Sequence, residues 1–245
     1  MKNKKLKNIL LALAMSLALV FTACGGSAPA SESDGEQPQG ETQQEQTTPT
    51  PAPYAPFVSQ QVYDAYGENS DVIGWLTVDG CEIDNRVFQC GNNDFYLRLN
   101  EAGEYDVWGC YFLDYINVND GYELTDKVNI IYGHALDDDP NSEKFSKLKR
   151  YKEETFAKAN PTISFDLLYA NTSWQIFAAT DIPVTIDYID PNPDEEKYTE
   201  TLAYMVENSY VDFGVDVTSE DRILVLSTCT SDENIRFVVA AKLIE

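Results

Sequence analysis

The single histidine of the chain, His134, stands in Tyr132-Gly133-His134, directly after the apolar run Val128 to Tyr132. A thiol has a matching address: Cys229 closes Leu226-Ser227-Thr228-Cys229 at the end of another apolar run, Arg222 to Ser227. Arg236 opens the next apolar run after the six-residue loop Thr230 to Ile235. An imidazole, a thiol and a guanidinium at strand ends can supply a proton carrier, a nucleophile and a clamp for a carbonyl or its oxyanion. If the last two runs pair as a hairpin, Cys229 and Arg236 face each other near its open end. A free thiol with a pKa near ~8.5 is only a few per cent thiolate at neutral pH, and an acidic protein disfavours the thiolate further. A fixed local cation is therefore needed, and Arg236, planar and permanently charged, suits that role better than lysine. The residue types alone also fit a blander reading, an inert core cysteine and a histidine that is merely hydrogen-bonded.

The elements that must position these side chains are mostly strands. Val72 to Leu76, Ile83 to Phe88, Cys110 to Leu113, Val128 to Tyr132, Thr162 to Phe165, Trp174 to Ala179 and Thr185 to Ile189 are short β-rich runs bounded by Gly, Asn, Asp or Pro. Arg222 to Ser227 and Arg236 to Ile244 are nearly continuous apolar runs, as expected of strands buried on both faces. Helices are predicted over Phe57 to Ser70, over Ser142 to Ala159 with a break near Tyr151, and over Pro193 to Ser209, where Asp194-Glu195-Glu196 suit the helix dipole. Many short strands without βαβ alternation predict a mainly β fold, a barrel decorated by helices. Gly133 is expected to turn the chain and expose the imidazole of His134 at the sheet rim.

Composition excludes several functions. With 17 Lys+Arg against 41 Asp+Glu and a net charge of -24, the chain cannot meet a phosphate backbone, so no nucleic-acid partner is expected. One histidine and five cysteines without a CxxC pair rule out a multi-histidine metal site and a zinc finger. The acidic loop Asp137-Asp138-Asp139 lacks EF-hand spacing and reads as a solvated loop, so no metal and no cofactor are expected. Cys81, Cys90 and Cys110 are odd in number and read as buried free thiols. Tyr63, Tyr66, Tyr96 and Tyr105 read as barrel core and rim. A hydrophobic content of 43% is ample for one core.

The N-terminus reads as an export signal. Lys2, Lys4, Lys5 and Lys7 precede an apolar run from Ile9 to Val20, too short for a comfortable membrane span. Phe21-Thr22-Ala23-Cys24 resembles a bacterial lipobox, with Phe21 in place of the usual leucine, which makes residues 1–23 a lipoprotein-type signal and Cys24 the lipidated residue; an uncleaved anchor is the alternative. Residues 24–56, rich in Pro, Gln, Glu and Thr, are expected to form a disordered linker, and residues 57–245 one folded domain. Loss of residues 1–23 removes four lysines and no acids, leaving 13 basic residues against 41 acidic ones, a field that attracts cationic amines.

Tyr132-Gly133-His134, Leu226-Ser227-Thr228-Cys229 and Arg236-Phe237-Val238-Val239-Ala240-Ala241-Lys242-Leu243 together resemble the signature of the sortases, cysteine transpeptidases of Gram-positive cell surfaces. Asp71-Val72-Ile73-Gly74-Trp75-Leu76, Ile83-Asp84, Asn93-Asp94-Phe95-Tyr96-Leu97 and Phe112-Leu113-Asp114 are similar to sortase segments too, and the helix before the last two strands resembles class B. The resemblance implies an eight-stranded sortase-type barrel in which Cys229 attacks the carbonyl of a threonine in a C-terminal sorting motif. His134 would be the acid and base, Arg236 the oxyanion clamp, and Asn93, Leu97, Ser227 and Thr228 substrate-binding positions. The implied partners are secreted proteins bearing a sorting motif and, as acceptor, a cell-wall peptide amine or a pilin-type lysine. The implied location is the outer face of the cell membrane. Asp181 to Glu196 is the expected specificity segment. A peptidase using water instead of an amine, and an inactive surface binding module, are the rival functions.

Overall fold

The computed structural model describes residues 59–244. The expected signal sequence, Cys24 and the linker lie outside the described residues. Eight strands, β1 (Val72–Val78), β2 (Ile83–Phe88), β3 (Tyr111–Leu113), β4 (Val128–Tyr132), β5 (Thr162–Leu167), β6 (Asn171–Pro183), β7 (Ile223–Cys229) and β8 (Ile235–Leu243), close into a barrel in the order β1-β2-β3-β4-β7-β8-β6-β5. The pairs β2·β3 and β4·β7 are parallel and the others antiparallel.

Period-two alternation sorts the side chains of each strand between two environments. Leu224 and Leu226 of β7 and Phe237, Val239 and Ala241 of β8 point into the barrel, where they meet Leu76, Phe165 and Trp174. The alternate residues of the same wall, Val128 and Ile130 of β4, Ile223 and Val225 of β7, and Val238 and Ala240 of β8, form a second core outside it. Tyr198, Leu202 and Met205 of helix α4 (Glu195–Glu207) cover that outer face. Both faces of β7 and β8 are thus buried, which is why these strands read as unbroken apolar runs. Each large aliphatic side chain buried this way contributes about 1.5–3 kcal/mol.

Helix α4 lies between β6 and β7, as the sequence predicts. It starts where Asp194 accepts a hydrogen bond from the Lys197 N–H at 2.9 Å, and Glu195 and Glu196 sit in its first turn. Helix α1 (Gln60–Glu68) packs Ala65 against a third cluster that includes Val72, Phe88, Tyr96 and Phe112.

The structure departs from the sequence reading in several places. Thr185 to Ile189 is no strand; β6 instead runs unbroken through Asn171–Pro183, and Pro183, with no N–H to give, marks its end. The helix expected over Ser142 to Ala159 divides into a 3₁₀ segment, Lys144–Lys152, and α3 (Glu154–Ala159), which meet at the extended Glu153. Of the tyrosines read as core and rim, Tyr96 is core, and Tyr63 and Tyr105 are 40% and 76% exposed. Cys81 and Cys110 are buried free thiols, while Cys90, also free, is only half-buried.

Candidate active site

Alternation along three neighbouring strands gathers the chemistry. His134 has the parity of Val128, Ile130 and Tyr132; Cys229 that of Val225 and Ser227; Arg236 that of Val238 and Ala240. All three therefore belong to the outer face of the β4-β7-β8 wall, at the end where β4 and β7 stop and β8 starts. Cys229 pairs directly with Arg236 across β7·β8, so the hairpin expectation holds. In the parallel pair, Tyr132 stands opposite Ser227, and two residues further along each chain come His134 and Cys229. The contact continues past β4: the Gly133 N–H donates to the Ser227 carbonyl at 3.3 Å and Thr228 Oγ1 donates to the Gly133 carbonyl at 2.6 Å.

Gly133 has a reason for being glycine other than the one expected from sequence. Its φ is not positive; a Cβ there would lie 2.6 Å from Phe145 and 2.7 Å from Tyr111. The residue is small because the chain crosses closely over two buried, tilted rings whose centroids are 4.7 Å apart. The loop after His134 then folds back at Lys144, whose φ of 52° is left-handed and costs a non-glycine residue on the order of 1 kcal/mol. The Phe145 N–H closes this turn on the His134 carbonyl at 2.9 Å.

A cleft of about 380 Å³ contains His134, Cys229 and Arg236 in its lining, along with Asn93, Leu97, Ser227 and Thr228. The structure thus brings all seven sequence-predicted residues to one cleft, but several of their polar groups are already engaged. Asn93 Oδ1 accepts the Tyr115 N–H at 2.9 Å, Ser227 Oγ is 2.8 Å from the Tyr188 hydroxyl, and Thr228 is held by Gly133. Arg236 Nη1 donates to the carbonyls of Glu233 and Ile235 at 2.8 and 3.0 Å, which hold the guanidinium along its own loop. A second hollow of about 400 Å³ shares Tyr132 and Arg236 with the first and is otherwise lined by Val184 and Ile186 to Ile189, inside the expected specificity segment. Lys197 fastens that segment to α4 through Asp187 and Asp190 at 2.7 and 3.0 Å.

His134 is 8% exposed. Its Nε2 is 2.7 Å from the Leu97 carbonyl, a contact that assigns the proton to Nε2 and leaves the Nδ1 lone pair free in the neutral ring. Burial, assisted by the cations of Arg98 and Lys144, lowers the imidazole pKa, although the Leu97 carbonyl and Asp106 oppose the shift. Cys229 is exposed, whereas burial pushes Cys81 up to about 12 and Cys110 to about 11. Neither buried thiol is a nucleophile at neutral pH.

Sequence reasoning missed Arg98, Tyr132, Tyr188 and Asp138. Arg98 lines the cleft with Nη1 3.1 Å from His134 Nε2. It is carried by α2 (Phe95–Arg98), a single turn started by Asn92, whose Oδ1 accepts the N–H groups of Asp94 and Phe95; Asn92-Asn93-Asp94 was the available turn signal. Tyr132 donates to the buried Asp114 at 2.7 Å. Asp138, four residues past His134, binds the buried Lys149 and accepts the Ser231 N–H at 3.3 Å, two residues past Cys229.

None of the known protein-family models matches the chain. Sortase B of Listeria monocytogenes is 33% identical over 191 residues, covering 76% of this chain and 75% of its own length. The solved Staphylococcus aureus sortase B-substrate complex superposes with a TM-score of 0.69 at 29% identity, over 77% of this chain and 87% of that one. Clostridium perfringens sortase B gives 0.65 at 30% identity, over 75% and 99%. With its closed eight-stranded barrel and an identity of 33% sustained across most of both chains, this protein belongs to the sortase family of cysteine transpeptidases and is most like class B.

Proposed function

We propose that the protein cleaves a C-terminal sorting motif of secreted proteins and joins the freed carbonyl to an amine, with Cys229 as nucleophile. The observation that supports this most directly is the shared cleft, in which an exposed thiol, a buried imidazole and a guanidinium stand at the adjoining ends of β4, β7 and β8.

In this reading the Cys229 thiol loses its proton to His134 as the sulfur attacks the scissile carbonyl carbon, and the negative charge moving onto oxygen is met by Arg236. The carbonyl re-forms as the C–N bond breaks, and His134 gives its proton to the departing amine. A thioester on Cys229 remains. An acceptor amine, losing its proton to His134, attacks that carbonyl, and the thiolate leaves as the new amide forms. Asn93, Leu97 and the Ser227-Thr228 pair line the substrate's path, with Asn93 held in place by the Tyr115 N–H. The acceptor is a cell-wall peptide amine or a lysine of another surface protein. Residues 1–23 direct export, lipid on Cys24 holds the chain at the outer face of the membrane, and residues 24–56 act as spacer.

The test is incubation of residues 57–245 with LPxTG-like and NPxTN-like peptides, with and without an added amine. Transfer predicts an amide product whose yield grows with amine concentration. Cleavage that ignores the amine and yields only the free acid would identify a peptidase instead.

A further inference from the structure

Acids outnumber bases by 41 to 17 in this chain, so a cation readily finds a carboxylate. Lys147, Lys149, Lys152, Lys158, Lys197, Lys242, Arg86 and Arg222 each do so. Arg98, Lys127, Lys144, Arg150 and Arg236 make no ion pair among the described residues; of these Arg98 is the exposed one, and it lines the same cleft as His134 and Cys229. One end of its guanidinium, Nη1, is fixed by donation to the Val107 carbonyl at 3.1 Å and lies at the His134 ring edge; Nη2 and Nε make no hydrogen bond among the described residues. Asp94, one helical turn earlier and in the same cleft, forms no ion pair with it. The cleft thus offers an anchored guanidinium fork with donors to spare, on the imidazole side of the site.

We infer that Arg98 is a specificity-determining residue that receives a carboxylate carried near the amine that His134 serves. The inference rests on the transpeptidase reading, because that reading makes the departing and attacking amines pass the same imidazole and therefore occupy the same side of the cleft. With Arg98 Nη1 3.1 Å from the ring, a carboxylate within a side chain's length of either amine comes within reach of the guanidinium. The field of an acidic protein repels a free carboxylate, so a local cation is what permits an acidic group here.

The experiment compares wild type, R98Q and R98K. In the acceptor arm, transfer to Nα-acetyl-lysine is measured against transfer to Nα-acetyl-lysine amide, which keeps the same ε-amine and lacks the charge. In the departing-group arm, thioacyl formation is measured with sorting peptides carrying Glu or Gln just after the scissile bond. An exposed ion pair predicts a preference for the carboxylate of roughly two- to fivefold in at least one arm. The arm that shows it identifies the source. The ratio falls to about one in R98Q, whatever happens to absolute rates, and stays partial in R98K, which keeps the charge without the fork. Ratios near one in both arms of wild type, or ratios unchanged in R98Q, overturn the inference and leave Arg98 as a group that acts only on His134. A binding readout separates this failure from that of the transpeptidase reading. The one histidine resonance should shift with Nα-acetyl-lysine more than with its amide, in wild type and not in R98Q, even if no peptide acylates the enzyme.

Discussion

Replacing Gly133 by alanine tests whether close packing, not backbone freedom, sets the position of His134. The added Cβ would stand 2.6 Å from Phe145 Cδ2, 2.7 Å from Tyr111 Cδ1 and 2.8 Å from Phe145 Cγ. Both rings are buried in the barrel core and packed on each other, so neither is free to swing away. Restoring an ordinary contact of 3.4 Å from 2.6 Å requires the chain or a ring to move about 0.8 Å. Overpacking of this kind costs about 1–3 kcal/mol, and at about 2–4 °C per kcal/mol for a domain of this size the Tm should fall by roughly 2 to 12 °C. The same displacement moves the imidazole relative to Cys229, because the Gly133 carbonyl and N–H bind the strand that carries the thiol. A misplacement near 1 Å lowers the rate on the order of 10²-fold. Differential scanning calorimetry and the rate of thioacyl formation read the two effects separately. Gly67→Ala is the control: that glycine lies in α1 with nothing within 4 Å of an added Cβ, so it should gain about 0.5–1 kcal/mol from helix propensity and leave the rate alone. A Gly133→Ala enzyme with the wild-type Tm and the wild-type acylation rate would refute the packing argument.

Two further outcomes follow from titratable groups. Lys149 and the Ser231 N–H hold the Asp138 carboxyl down to about 2, so its contribution to stability is complete above the ordinary value of 3.8 and is lost as pH falls from there toward about 2. Asp138→Ala should therefore flatten the acid limb of Tm against pH in that window; an acid limb identical to wild type would show that the carboxylate does not tie the two loops. Burial first, then Arg98 and Lys144, lower the imidazole pKa, so NMR titration of the sole histidine should give a midpoint below the ordinary value of 6.5. Arg98→Gln should raise that midpoint, and a midpoint at or above 6.5 in wild type would contradict the environment described for the ring.

Much of this site was legible because strand periodicity is a strong local signal. β2 and β4 occupy the predicted ranges, and the Cys229·Arg236 pairing follows from a six-residue loop between two apolar runs. Thr185 to Ile189 carries β-branched residues but leaves the barrel, because Pro183 ends the ladder and Tyr188 is used to cover Ser227. Residues joined only through space were not legible. Arg98 meets His134 across 36 positions, Asp138 meets Ser231 across 93, and the crowding at Gly133 depends on rings from two other elements. The gathering of Cys229, His134 and Arg236 at adjoining strand ends was readable from type and address, whereas the groups that hold and tune them required the fold.

The most direct test of the central claim is intact-protein mass spectrometry of residues 57–245 after incubation with sorting-motif peptides, for wild type and Cys229→Ala. The account predicts a mass increase equal to the peptide's N-terminal fragment on wild type alone, with the adduct mapped to Cys229 and discharged by an added amine. An adduct that persists in Cys229→Ala, or an exposed Cys229 that forms none with any peptide while the enzyme still transfers, would contradict it.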